Sequence, residues 1–72
     1  MTLDETKQGQ EINITHIADT HNRQMLLRMG ICEGTKIMCE NKIRKGPVII
    51  KNKRNTIAIG YNLAKNIYCK EI

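Results

Sequence analysis

A small, closed, all-β barrel with five strands and one short helix is the fold that this sequence predicts. Three observations carry the prediction. Twelve of the 72 residues are isoleucine, a β-branched side chain that fits a pleated sheet better than a helix. Trp and Phe are absent and Tyr61 and Tyr68 are the only tyrosines, so the core has to be aliphatic. Five short apolar segments separated by turn residues follow one another, with a single helical pattern after the first. Closing such strands on themselves removes most unpaired edges. A chain of this length supports one core, burying roughly 60% of its unfolded surface, which argues against a two-domain enzyme with a cleft between domains.

The elements follow in order. Residues 1–8 are polar and predict a flexible N-terminus, leaving residues 9–72 as the barrel domain. Glu11–Ala18 alternates Ile12 and Ile14 with Asn13 and Thr15, a half-buried strand. Ile17 falls one residue out of phase, and a bulge near Thr15–His16 would restore it. Asp19 and Thr20 are N-cap types ahead of NRQMLLRMG, the one full helix. Leu26 and Met29 share its inner face with Met25 beside them. Gly30 suits the position after the helix end, where Ile31 would close a Schellman cap against Leu26.

Cys32–Thr35 reads as a turn with Gly34 at positive φ. Lys36–Glu40 is a second strand with Ile37 and Cys39 on one face. Asn41–Pro47 is a basic loop closed by Gly46-Pro47. Val48–Lys51 and Thr56–Ile59, with Ile57 and Ile59 on one side, are strands three and four around a turn at Asn52–Arg54. Gly60–Lys65 is a helical turn with Leu63 and Ala64 inward. Asn66–Ile72 is the last strand, where Ile67 and Cys69 share a face.

Twelve Lys+Arg against seven Asp+Glu give a net charge of +5, which admits acidic partners without choosing among them. Three cysteines are an odd set with no paired spacing, so a disulfide scaffold is not expected. The opening MTLDETKQGQ is no signal peptide, and no apolar run approaches the ~18 residues of a membrane span. The expectation is a reduced, cytoplasmic chain, open to recruitment to the inner face of the membrane.

Catalytic chemistry finds little footing. Gly30–Lys36, GICEGTK, has three residues between its glycines where a phosphate-binding P-loop has four, and Thr35 precedes Lys36. Neither histidine has a Ser or Cys partner with an orienting carboxylate. No catalytic residue and no cofactor-binding residue is therefore assigned, and the chain is not expected to be an enzyme. His16, His21 and Cys32 are the candidates for a weak site for Fe(II) or another divalent transition metal, although paired ligand spacings are absent. Cys39 and Cys69 fall on apolar faces and read as small core residues.

From Lys36 to Arg54 there are seven bases and one acid, Glu40. Small barrels bind nucleic acid through such stripes, but single-strand binding also needs stacking rings and this stretch has none. On the helix, Leu27 points about 100° from Leu26 and is a candidate for an interaction patch with Met25 and Arg28.

At the helix and its cap the sequence resembles the ferrous iron transport protein A (FeoA) family. Leu26-Leu27-Arg28-Met29-Gly30-Ile31 followed by Glu33-Gly34-Thr35-Lys36-Ile37 carries the resemblance, and Gly46-Pro47, Ile57-Ala58-Ile59 and Ala64 with Ile67 extend it over nearly the whole chain. Two positions depart from the family pattern: Met25 stands where an arginine usually opens the helix motif, and Glu33 where a proline is frequent. The resemblance implies an SH3-like barrel related to the C-terminal domain of iron-dependent repressors. It also implies a cytoplasmic accessory of FeoB, a membrane Fe(II) transporter with a GTPase domain. The expected interface joins the helix patch, Met25, Leu27 and Arg28, to the basic loop, Lys42, Arg44 and Lys45, the latter facing acidic protein or anionic lipid. A transition-metal-sensing module is the alternative reading, and a nucleic-acid-binding barrel the third.

Overall fold

The computed structural model describes residues 1–72. Five strands form one antiparallel sheet: β1 (Glu11–Ile17), β2 (Lys36–Lys42), β3 (Val48–Asn52), β4 (Asn55–Ile59) and β5 (Ile67–Glu71). Their spatial order is β4-β3-β2-β1-β5. Helix α1 (Thr20–Arg28) joins β1 to β2, and the single turn α2 (Tyr61–Ala64) joins β4 to β5. This is the all-β arrangement expected, with the helix and the helical turn in the expected places.

The sheet wraps one cluster of fourteen buried apolar residues, eight of them isoleucine. Branched aliphatics pack both walls without a ring. Ile57 and Leu63 pack against its margin.

Closure differs from the expectation. The end strands β4 and β5 are not hydrogen-bonded to each other, so the barrel is completed by packing. The outer edge of β5 is taken by the N-terminus instead: the Cys69 amide donates to the Met1 carbonyl at 2.8 Å, and Thr2 bridges Tyr68. Leu3 then turns fully into the core, and a 3₁₀ turn, Leu3–Glu5, leads to the buried Thr6, whose hydroxyl donates to the Leu3 carbonyl at 2.7 Å. Residues 1–8 are therefore no loose terminus. A lone leucine in a polar run has no periodicity to reveal it, yet its burial and the strand edge it brings with it fix the segment.

Two bulges set which side chains face in. The β1–β5 register shifts between Ile14 and His16, so Ile12, Ile14 and Ile17 are all buried, as the phase break in the sequence predicts. A second shift, between Cys39 and Asn41, was not foreseen; it extends β2 two residues beyond Glu40 to Lys42 and shortens the basic loop.

Helix α1 is bounded as read. Asp19, at φ 74°, caps it by accepting from the His21 amide at 3.0 Å. Its other end is a Schellman cap: the Ile31 amide donates to Leu26 O at 2.9 Å and Gly30, at φ 80°, to Leu27 O at 3.0 Å. Leu26 and Ile31 are both fully buried. Met29 departs from its predicted inner face: as the C-cap residue its backbone has already left helical geometry, and its side chain is exposed.

Candidate interaction surface

Leu27 stands out from α1 with 61% of its surface exposed. Together with Ile17, Cys32, Arg23 and Glu33 it lines a hollow of about 270 Å³. Charges of both signs rim the hollow: Glu33 Oε1 lies 3.8 Å from His16 Nδ1 and 3.9 Å from Arg23 Nη1. The His16 ring sits 5.8 Å from that of Tyr68. Arg28 is exposed and Met25 half-buried on the same helix, but neither lines the hollow. Arg23, Glu33 and Ile17 are the contributors that sequence reading missed, because only the fold carries β1 and the β2 approach under the helix.

The basic loop makes a second surface. Lys42 donates from Nζ to the Asp4 carbonyl at 2.8 Å. Arg44 and Lys45 are exposed and take part in no ion pair, since both ion pairs of the molecule converge on Glu33. Between them and β2, Ile43 is 56% exposed; nothing in the sequence of a basic loop marked it out. The turn is held by the Gly46 amide donating to Ile43 O at 2.8 Å and the Ile43 amide to Pro47 O at 3.2 Å. A Cβ on Gly46 would lie 2.9 Å from Ile43 Cγ2, so the position needs glycine for space.

The two surfaces of the expected interface lie toward opposite ends of β3. Asn52, at one end of β3, donates to the Gly30 carbonyl at the end of α1 at 3.4 Å. The basic turn enters β3 at Val48, the other end, roughly 13 Å away at ~3.3 Å per strand residue. The lysines that do neighbour the end of α1 are Lys36 and Lys53, which line a depression with Met29 and Gly34.

The metal candidates His16, His21 and Cys32 are likewise not gathered, and no three His, Cys, Asp or Glu side chains lie together as an ion would need. His16 is engaged with Glu33, His21 is exposed in the first turn of α1, and Cys32 Sγ lies 3.5 Å from Thr35 Oγ1. Cys39 and Cys69 are buried in the core, and burial pushes the Cys69 thiol pKa up. Gly30 and Gly34, the glycines of the P-loop-like run, serve a helix cap and a turn at φ 80° and 91°.

A family profile described as the FeoA domain matches residues 1–71. The chain belongs to the FeoA domain family. Solved structures agree with this. A crystal structure described as an iron uptake regulatory protein (FeoA) is 27% identical and superposes with a TM-score of 0.91, covering 100% of this chain and 97% of that one. The FeoA-like protein of Clostridium acetobutylicum follows at 22% identity and 0.85, over 100% and 86%. A manganese-dependent transcriptional repressor shares the fold alone, at 17% identity and 0.83, over 100% of this chain and 41% of the repressor. No curated protein matches the sequence.

The fold is thus the SH3-like small barrel of FeoA structures, and family membership implies involvement in ferrous iron uptake. Within this FeoA domain the ion pairs gather at one place. Glu33 anchors both ion pairs beside Leu27, and Arg23 supplies the guanidinium. No helix is long and apolar enough to cross a membrane.

Proposed function

We propose that this FeoA-family chain is an accessory of ferrous iron uptake that docks on the cytoplasmic part of the membrane transporter FeoB and assists or regulates Fe(II) transport. The observation that supports docking is the Leu27 surface. An aliphatic knob 61% exposed beside an apolar hollow, with a rim of both charge signs, has the make-up of a small protein-binding spot: apolar centre, polar rim. Leu27 contributes nothing to the core and is free to serve a partner.

The metal-sensing reading gains no comparable support, because His16, His21 and Cys32 are not gathered. For the nucleic-acid reading, Tyr61 is the one ring among the cations of the basic loop and Lys65 Nζ lies 5.1 Å over it, whereas single-strand binding draws on successive stacking rings.

Binding of the chain to the isolated cytoplasmic region of the transporter tests the proposal. Leu27→Asp is expected to weaken association about thirtyfold, the loss of one central contact worth ~2 kcal/mol. Unchanged binding would remove Leu27 from the interface. Saturable Fe(II)-dependent amide shifts at His16 and Cys32 without any transporter binding would replace docking with metal sensing.

A further inference from the structure

Ile43 is exposed for a structural reason. Past the bulge at Glu40 the β2–β3 ladder resumes and ends at the Lys42–Val48 pair, and the chain then turns at once. Two backbone hydrogen bonds close the turn, Lys45 takes a φ of 57°, and Gly46 leaves just enough space for Ile43 Cγ2 against its backbone. The isoleucine is thus held outward by a preformed turn and is not a side chain caught between conformations.

Its surroundings are predominantly cationic. Lys42, Arg44 and Lys45 flank it, and Lys65 stands with its Nζ 5.1 Å over the ring of Tyr61, which lines the same depression of about 170 Å³. Asp4 is the one acid lining the depression, and its contact with Lys42 is through the backbone carbonyl, with Glu5 next to it in the N-terminal turn. A soluble anion would use the cations and leave Ile43 idle. A protein partner would be expected to present acids at fixed positions and a pocket for the isoleucine. A bilayer with anionic headgroups uses everything present: the aliphatic tip enters the acyl boundary, and the cations meet a diffuse negative layer that needs no fixed geometry. The stems of the flanking lysines and arginine are themselves apolar and follow the tip inward.

We infer that the Ile43–Gly46 turn is a seat on the surface of an anionic phospholipid bilayer, with Ile43 as the inserting residue and Lys42, Arg44 and Lys45 as the headgroup contacts. This goes beyond the transporter assignment and stands without it. Seated this way, the chain keeps the Leu27 hollow clear of the lipid, because that hollow lies toward the other end of β3.

Flotation of the full chain with vesicles tests the seat. Phosphatidylcholine vesicles are compared with an equal mixture of phosphatidylcholine and phosphatidylglycerol. Binding is expected to the mixture only and to fall with added salt. Arg44→Ala/Lys45→Ala should weaken it about thirtyfold, from two cations near the surface, and Ile43→Ser about tenfold. Leu27→Asp should bind as wild type, and melting temperatures confirm that each surface variant is folded. Failure of the wild type to float with the mixed vesicles at low salt overturns the inference. So does wild-type binding by Ile43→Ser, which would reduce the attraction to diffuse charge. Displacement from the vesicles by soluble glycerol phosphate would mark an anion pocket in place of a bilayer seat. A chain that ignores vesicles but loses the transporter region on Arg44→Ala/Lys45→Ala would make the turn a protein contact.

Discussion

Away from the chain ends, Leu27 and Ile43 are the two most exposed aliphatic side chains, at 61% and 56%, and they are exposed in opposite ways. Leu27 rides on a helix anchored by the fully buried Leu26 and overlooks a hollow rimmed by Glu33, Arg23 and His16. Ile43 tops a tight turn beside a depression of about 170 Å³ whose lining is mostly cationic, with Lys42, Arg44 and Lys45 around it. A knob beside a mixed-charge hollow selects by shape, and a knob among like charges selects by potential. A single exposed aliphatic side chain is ordinary on a protein surface; the arrangement of charge around it is what separates these two.

The contrast is broken most severely beneath the helix. Leu26→Ala should destabilise the domain by about 2–5 kcal/mol in denaturant unfolding, whereas Leu27→Ala, one residue along, should stay within about 0.5 kcal/mol. If the two cost the same, Leu27 is a structural residue and the contrast collapses.

The glycines at the two surfaces sharpen it next. Gly30→Ala places a Cβ at φ 80° and should cost about 1–2 kcal/mol, with no change in vesicle binding. Gly46→Ala should displace Ile43 and lower vesicle binding while leaving affinity for the transporter region intact. Asp19→Ala, which removes the cap on the His21 amide, should cost about 1 kcal/mol and be felt on the Leu27 side alone.

Acid and alkali give the smallest effects. Hydrogen bonds from the Thr2 backbone and hydroxyl hold the Glu5 carboxyl pKa below its ordinary 4.5, with Lys42 adding to the lowering. Because the folded value lies below the unfolded one, the stability it contributes is present above that ordinary value and lost as pH falls through the folded pKa. Acid should therefore loosen the N-terminal turn against which Lys42 rests before it disturbs α1, and Glu5→Gln should flatten the response. At the other extreme, burial raises the Cys69 pKa above 9.0. The unfolded thiol then ionises first, so stability should decline as pH rises past that value, and Cys69→Ala should abolish this dependence. Amide exchange followed across pH checks both.

Much of the barrel was legible because its signals are local. Capping, the Gly30-Ile31 closure and the Thr15 bulge are each written within a few residues, the last as a phase break among Ile12, Ile14 and Ile17. The Glu40 bulge was not legible, since Asn41 and Lys42 read as loop and are held in the ladder by β3. Leu3 was hidden because a single apolar residue makes no pattern; its burial depends on an edge of β5 that only the assembled sheet provides. The candidate interface was half legible. Leu27 betrays itself by helical phase, but that Met25, Leu27 and Arg28 lie toward one end of β3 and Lys42, Arg44 and Lys45 toward the other was not legible. Spacing along the chain carries no record of which end of β3 each segment meets.

Burial of Cys39 and Cys69 leaves Cys32 as the exposed thiol, and Cys32 lines the hollow under Leu27. A thiol-reactive fluorophore added to the unaltered protein will attach there in preference to anywhere else. The molecule thus arrives with its own reporter, placed where occupation by a partner changes the emission and far from where lipid would.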